Sequence, residues 1–357
     1  MIEAMRRLHR GSSLALTAAA LFGLSAPAAK ILLGGVDPWL LAGFLYLGSG
    51  IGLTSVFVGR RLLGMRVREA SLRSADLPWL AGAIVAGGVL GPVLLMFGLA
   101  GGRASEAALL LNLEGVFTAL FAWIVVREHV HRRIVVGMIA ITAGALTLTL
   151  GSTGTMELDW SALLIAGACV AWAVDNNLTR AVSAADPLQI ATLKGAVAGT
   201  VNVLAALVLG ASWPSAMTTG AGVVGLLGYG TSLILFVLAL RHLGTARTGA
   251  YFSTAPFIGA GAAVVALREP VTIPLVVGGI LMAIGVWLHL SEQHEHGHAH
   301  APLPHEHAHR HDEHHQHDHP PGAVVTEPHA HPHVHAPLRH GHPHYPDLHH
   351  RHDHRAE

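Results

Sequence analysis

The chain has 357 residues, of which 52% are hydrophobic and 12% charged, and its formal net charge is zero. A soluble domain carries about 25% charged residues, so this composition excludes an ordinary soluble fold and points to a membrane protein. One cysteine, Cys169, excludes an intrachain disulfide, and no basic patch with interleaved aromatics lies outside the membrane-flanking loops, which excludes nucleic acid as a partner.

The zero net charge averages two unlike parts. Up to Leu290 there are 18 Lys or Arg against 12 Asp or Glu; beyond it there are 4 Arg against 10 acids, together with 23 of the 28 His. The N-terminus, with Arg6, Arg7 and Arg10 before LALTAAALFGL and SAPAA, reads like a secretory signal. The apolar run resumes after Lys30 with ILLGG, however, and the segment has a later echo. Phe22-Gly23-Leu24-Ser25 lines up with Trp172-Ala173-Val174-Asp175, and Asp37-Pro38 with Asp186-Pro187. A retained membrane span is expected.

Ten apolar segments are long enough to cross a bilayer core of about 30 Å as helices of ~20 residues. They cover 13–33, 39–59, 78–100, 105–126, 133–151, 160–180, 188–209, 218–240, 246–267 and 271–290. Gly91-Pro92 should bend the third, because proline removes an intrahelical hydrogen bond. The fourth, from Ala104 to His129, recurs from Thr245, so that Arg268-Glu269 falls where Arg127-Glu128 fell. Both Arg-Glu pairs should cap and anchor helix ends rather than touch a substrate.

Positive charge sets the orientation. With the N-terminus inside, the inner segments carry fourteen arginines, from Arg6 to Arg247, and the outer ends only Lys30, Arg103 and Arg268. Such a bias puts both termini in the cytoplasm. Five spans per copy is an odd number, so the second copy inserts upside down. The expected fold is an all-α integral membrane protein of ten transmembrane helices. It forms two inverted five-helix repeats, 13–151 and 160–290, followed by a tail over 291–357.

This arrangement resembles the EamA family of the drug/metabolite transporter superfamily. In that family the fourth span of each repeat carries a Leu-Glu-Pro-like turn and ends in Gly-Glu. Here Leu113-Glu114-Gly115 and Arg127-Glu128 stand in the first copy, Ala255-Pro256 and Arg268-Glu269 in the second. Gly115 replaces the usual proline and Ala255 the usual glutamate. The resemblance implies a proton- or gradient-driven carrier in the cell's inner membrane, often an exporter, of metabolites, amino acids or drugs.

Few residues within the spans carry chemistry. Glu114 is a carboxyl near a span's midpoint, where an ionisable group faces a bundle interior or a watery cavity; it suits proton exchange or substrate binding, or else only ties helices together. Asn112, two residues away, points around the helix from it. Asp175, Asn176 and Asn177 form a second polar island, and Lys194 is the sole lysine besides Lys30. Asp175 and Lys194 lie ~8–9 Å in from the cytoplasmic ends of consecutive helices, at 1.5 Å per residue. A salt bridge is expected between them, as a cytoplasmic gate, an anion contact or a fixed structural pair. Tyr229, Tyr251, Trp172 and Ser253 suit packing as well as a cavity wall.

The tail holds His294, His296, His298, His300, His305, His307, His309, His311, His314, His315, His317 and His319 within 26 residues. Many His-X-His pairs, recurring prolines and little apolar content predict a disordered segment. Imidazole suits zinc, nickel, cobalt and copper, so the tail is expected to bind such ions, although no cofactor is required for transport. The expected partners are the bilayer, a small-molecule substrate and divalent metal at the tail, with a homodimer left open. Two other readings compete with a carrier of organic solutes: a nickel, cobalt or zinc exporter whose tail collects ions, and a tethered metal buffer or sensor without transport. No nucleophile–base constellation or phosphate-cradling glycine loop is present, so catalysis is not expected.

Overall fold

Ten helices long and apolar enough to cross a membrane organise the computed structural model. It describes residues 2–64, 72–125, 132–153, 159–182, 185–214, 218–243 and 245–291, and in the tail the backbone of 294–300, 304–309, 329–334 and 338–344. The spans, numbered in chain order, are Gly11–Leu32, Pro38–Leu62, Ser74–Gly101, Ala104–Ile124, Arg132–Gly151, Trp160–Ala181, Pro187–Val208, Thr219–Ala239, Arg247–Ala266 and Ile273–Leu290. Each matches a segment expected from the sequence to within a few residues. Spans 2 and 7 start alike: Asp37 and Asp186 cap the first turn with their side chains, and a proline follows at the first helical position.

The polarity is that of a protein in lipid. Large apolar side chains such as Ile124 (71% exposed), Ile273 (81%) and Val208 (86%) point outward, while Asn112, Asp175, Asn202, Ser49 and Ser232 are buried. In lipid, close backbone contact replaces the hydrophobic effect between helices, and small residues permit it. Spans 2 and 7 meet where Gly195 faces Gly50: a Cβ on Gly195 would come within 2.8 Å of the Gly50 backbone. Gly43 meets Val203 along the same seam, so the two spans run antiparallel. Spans 5 and 10 do the same, with Gly137 against Gly285 and Gly144 against Gly278.

Spans 3, 4, 8 and 9 are interrupted, and the interruptions recur at sequence offsets of 141 and 142. Span 3 turns π-helical over Ile84–Leu90 and span 8 over Gly225–Thr231; both limits differ by 141. Span 4 breaks after Leu110 and resumes at Leu113; span 9 breaks after Phe252 and resumes at Ala255. The bend expected at Gly91-Pro92 is thus realised as a π-helical segment just before it. Pro92 has no N–H to give, so neither the Gly88 carbonyl four residues back nor the Gly87 carbonyl five back can receive one. Both are satisfied by side chains instead: Gly87 O accepts from the Tyr46 hydroxyl (2.8 Å) and Trp172 Nε1 (2.9 Å), and Gly88 O from Asn202 Nδ2 (3.0 Å).

In the tail, the described stretches form two short ladders. His294–His300 pairs antiparallel with Leu338–His344, and Pro304–His309 with His329–Val334. The His-X-His alternation that argues against a helix has the period of a strand. Two-stranded ladders standing alone are marginal in water, and Pro332 and Pro343, each inside a ladder, have no N–H to pair.

The seam between spans 2 and 7 gives a test. Gly195→Leu should force the spans apart and remove monodisperse protein after extraction, since overpacking costs about 1–3 kcal/mol even where neighbours can shift. Gly115→Ala, where an added Cβ meets nothing within 4 Å, should elute and melt like the parent. Size-exclusion profiles and melting temperatures check both.

Candidate functional site

Span 6 supplies the core of a polar centre. Asp175 is buried against Gly87 of the π-helical segment, where its carboxylate occupies the space a side chain would need. Lys194 of span 7 donates to both of its oxygens, at 2.6 and 2.7 Å, and Thr179 Oγ1, one turn on, donates to Oδ1 at 2.8 Å. The pair expected from matched depths is formed. A bidentate, hydrogen-bonded ion pair is the arrangement in which two charges survive removal from water.

Glu114 sits in the first turn of the second half of broken span 4. Its Oε1 accepts from Asn176 Nδ2 at 2.8 Å, and the same amide reaches Thr118 Oγ1 at 3.4 Å. Glu114 lies within Coulombic reach of Asp175 and Lys194. Asn176 is exposed and Glu114 partly so, and an amide–carboxylate pair facing hydrocarbon would be costly, so the pair belongs to the interior side of the bundle. Asn177, by contrast, turns back to the Ala173 carbonyl (2.9 Å).

Asn112 is not part of this group. Its Nδ2 donates to the Leu109 carbonyl at 2.8 Å and lies 3.8 Å from the Met282 sulfur, so it stitches the break in span 4 against span 10. Three aromatic rings border the polar centre. Tyr46 lies in Coulombic reach of Asp175, Glu114 and Tyr229, its ring centroid 5.7 Å from that of Tyr229. Trp172 stands one turn before Asn176 on span 6. Tyr46 and Asn202 do not stand out in the sequence; a lone Tyr or Asn in the middle of an apolar run is the signal that could have found them. Tyr251 is set apart, bonded to Ser12 (3.2 Å), and Ser253 bonds the Ala250 carbonyl. Cys169 is a buried free thiol, as expected of a packing residue.

Among the described residues no group of three or more His, Cys, Asp or Glu could hold a metal ion. His289 bonds the Ile134 carbonyl at 3.1 Å across spans 5 and 10. Of the tail's candidate ligands, His294, His296, His298, His300, His305, His307 and His309 fall on the ladders' backbone. His311, His314, His315, His317 and His319 lie outside the described residues.

A ten-span helical bundle with interrupted helices around a carboxylate and an ion pair defines a multi-pass membrane transporter. The model of the EamA-like transporter family matches residues 9–150 and again residues 159–291, and the chain belongs to that family. It is 30% identical over 300 residues to an uncharacterized transporter of Methanothermobacter thermautotrophicus, covering 80% of this chain and 87% of that protein. A solved crystal structure with a TM-score of 0.59 and 17% identity covers 78% of this chain and 95% of that one, a likeness of fold alone.

The ion pair predicts a non-additive result. Asp175→Asn or Lys194→Met alone leaves its partner's charge unpaired within the bundle, at roughly 2.5–3.5 kcal/mol. Either single variant should melt lower in detergent than the double variant. Additive losses across the four proteins would show that the pair is not coupled.

Proposed function

We propose that the protein is a secondary carrier of the cell's inner membrane that exports small organic solutes, metabolites, amino acids or drugs, with Glu114 as the carboxylate that exchanges a proton or binds the substrate. The observation that carries this reading is the setting of Glu114. It lies at the break of an interrupted span, held by a neutral amide rather than a cation, while the nearby Lys194 is already taken by Asp175. A carboxylate in mid-bundle that forms no ion pair among the described residues is suited to accept a proton or a solute's donor group. Both halves of the chain belong to one family model, and the antiparallel run of spans 2 and 7 and of spans 5 and 10 supports two repeats of opposite orientation. With the arginines on the inner side, both termini are cytoplasmic.

Glu114→Gln keeps size and hydrogen bonding but cannot lose a proton. In proteoliposomes screened against amino acids and small amines, a pH gradient should drive the wild-type protein at least tenfold better than this variant, with equal protein inserted. Equal, gradient-dependent transport by both would reduce Glu114 to a packing residue.

The tail is a metal-responsive appendage in this reading, supported by 23 histidines beyond Leu290. The full chain should bind several zinc, nickel or copper ions, and a chain truncated after Ser291 should lose nearly all of them. Binding should fall as pH drops through about 6.5, since protonated imidazole cannot ligate. Organic-solute transport should survive the truncation and only its response to metal should disappear; loss of metal efflux instead would favour the metal-exporter reading.

A further inference from the structure

Aromatic side chains of membrane helices gather at the membrane–water interfaces, yet a connected run of them lies at the middle of this bundle. Tyr46 of span 2 and Tyr229 of span 8 have ring centroids 5.7 Å apart, and Tyr229 meets Phe22 of span 1 edge-on at 5.9 Å. Phe22 continues to Phe252, at the break of span 9, at 5.5 Å. At the other end of the run, Tyr46 and Trp172 of span 6 donate to the same carbonyl, that of Gly87. Rings from five spans are thereby joined.

The run and Glu114 share a depth. Glu114 is the middle residue of span 4, Ala104–Ile124, and Tyr229 that of span 8, Thr219–Ala239. Phe22 lies within a residue of the middle of span 1, and Trp172 within two of the middle of span 6. Glu114 is in Coulombic reach of Tyr46, which sets the carboxylate beside the end of the run. Side chains that only fill the bundle, such as Leu40, Leu45 and Met96, are at most 1% exposed. Phe22, Tyr46, Tyr229 and Phe252, by contrast, each keep part of their surface uncovered. The face of an aromatic ring attracts a cation within about 6 Å of its centroid, most strongly away from water. Positive charge is thus favoured here twice, by the rings and by Glu114. Negative charge is not: Lys194 is held by both oxygens of Asp175, and the described residues of the centre offer no second cation.

We propose that Glu114 and this run of rings form the site of an organic cation, an amine or quaternary ammonium group on an aromatic or apolar frame. The ammonium group lies between the Glu114 carboxylate and the Tyr46 ring, and the frame along Tyr229, Phe22 and Phe252. An amino acid would bring a carboxylate for which the centre has no described partner, and an anion would meet Glu114 and Asp175. The inference rests on the carrier reading and narrows its substrate to one type of charge.

Three water-soluble probes that share a benzyl group test the assignment by equilibrium dialysis against the purified full chain. They are benzyltrimethylammonium, phenylalanine and 3-phenylpropionate: a cation, a zwitterion and an anion. The cation should bind about tenfold tighter than either of the others. Glu114→Gln should remove that preference. Tyr229→Leu should weaken the cation several-fold, and Tyr229→Phe, which keeps the ring, should lose less. The wild-type preference and the Tyr229 comparison stand whether or not Glu114→Gln folds. A preference unmoved by both Glu114→Gln and Tyr229→Leu would overturn the assignment to these residues. Equal binding of the three probes, tightest binding of phenylalanine or the anion, or no binding of any would overturn the cation site. Gradient-driven transport of another solute, lost in Glu114→Gln, would then leave the carrier standing. Preferred, Glu114-dependent binding of the cation by a chain that moves no solute under a pH gradient would overturn the carrier and leave the site.

Discussion

In hydrocarbon every backbone N–H and C=O needs a partner within the protein, and where this chain interrupts a span, side chains supply it, some from the same span and some from elsewhere. Pro92 and the π-helical register before it leave two carbonyls of span 3 without helical donors, and Tyr46, Trp172 and Asn202 converge on them from spans 2, 6 and 7. Lys30 and Glu269 serve the loose ends of spans 3 and 4. The interruptions thereby draw together residues far apart in the chain, and the polar centre lies among them.

Charge follows the same logic. Asp175 and Lys194 neutralise each other at 2.6 Å, with Thr179 taking a further lone pair. Among the described residues Glu114 accepts from the amide of Asn176 and forms no ion pair. Among the described residues the centre thus holds two carboxylates and one lysine, beside the rings of Tyr46, Tyr229 and Trp172. In the proposed reading, Glu114 is the carboxylate that takes up and releases a proton or a cationic group on each cycle.

Much of this is legible in the sequence. Span length is set by bilayer thickness, so the apolar runs alone specify ten helices, and the repeat of Arg-Glu at a fixed offset marks the two halves. Asp175 and Lys194 can be paired because depth along a helix is simple arithmetic at 1.5 Å per residue. Glu114 stands out because an ionisable residue in an apolar run is costly. What stays hidden are partners made of backbone. Glu269 reads as a helix cap, but nothing in its neighbours names the N–H groups of Ala104 and Ser105, 165 and 164 residues away. Tyr46 and Asn202 escape notice for the same reason: their acceptors are carbonyls freed by a proline on another span. The Gly91-Pro92 signal announces a bend, not the helical register that results.

Alternation of the bundle between an outer and an inner opening is tested most directly by distances between spin labels. One pair, at Phe97 and Val265, would report on one end of the bundle, and another, at Ile124 and Arg247, on the opposite end; all four side chains are exposed. Alternation predicts two distance populations at each end whose proportions shift in opposite senses when pH is changed. A single, pH-independent distance at both ends would contradict it.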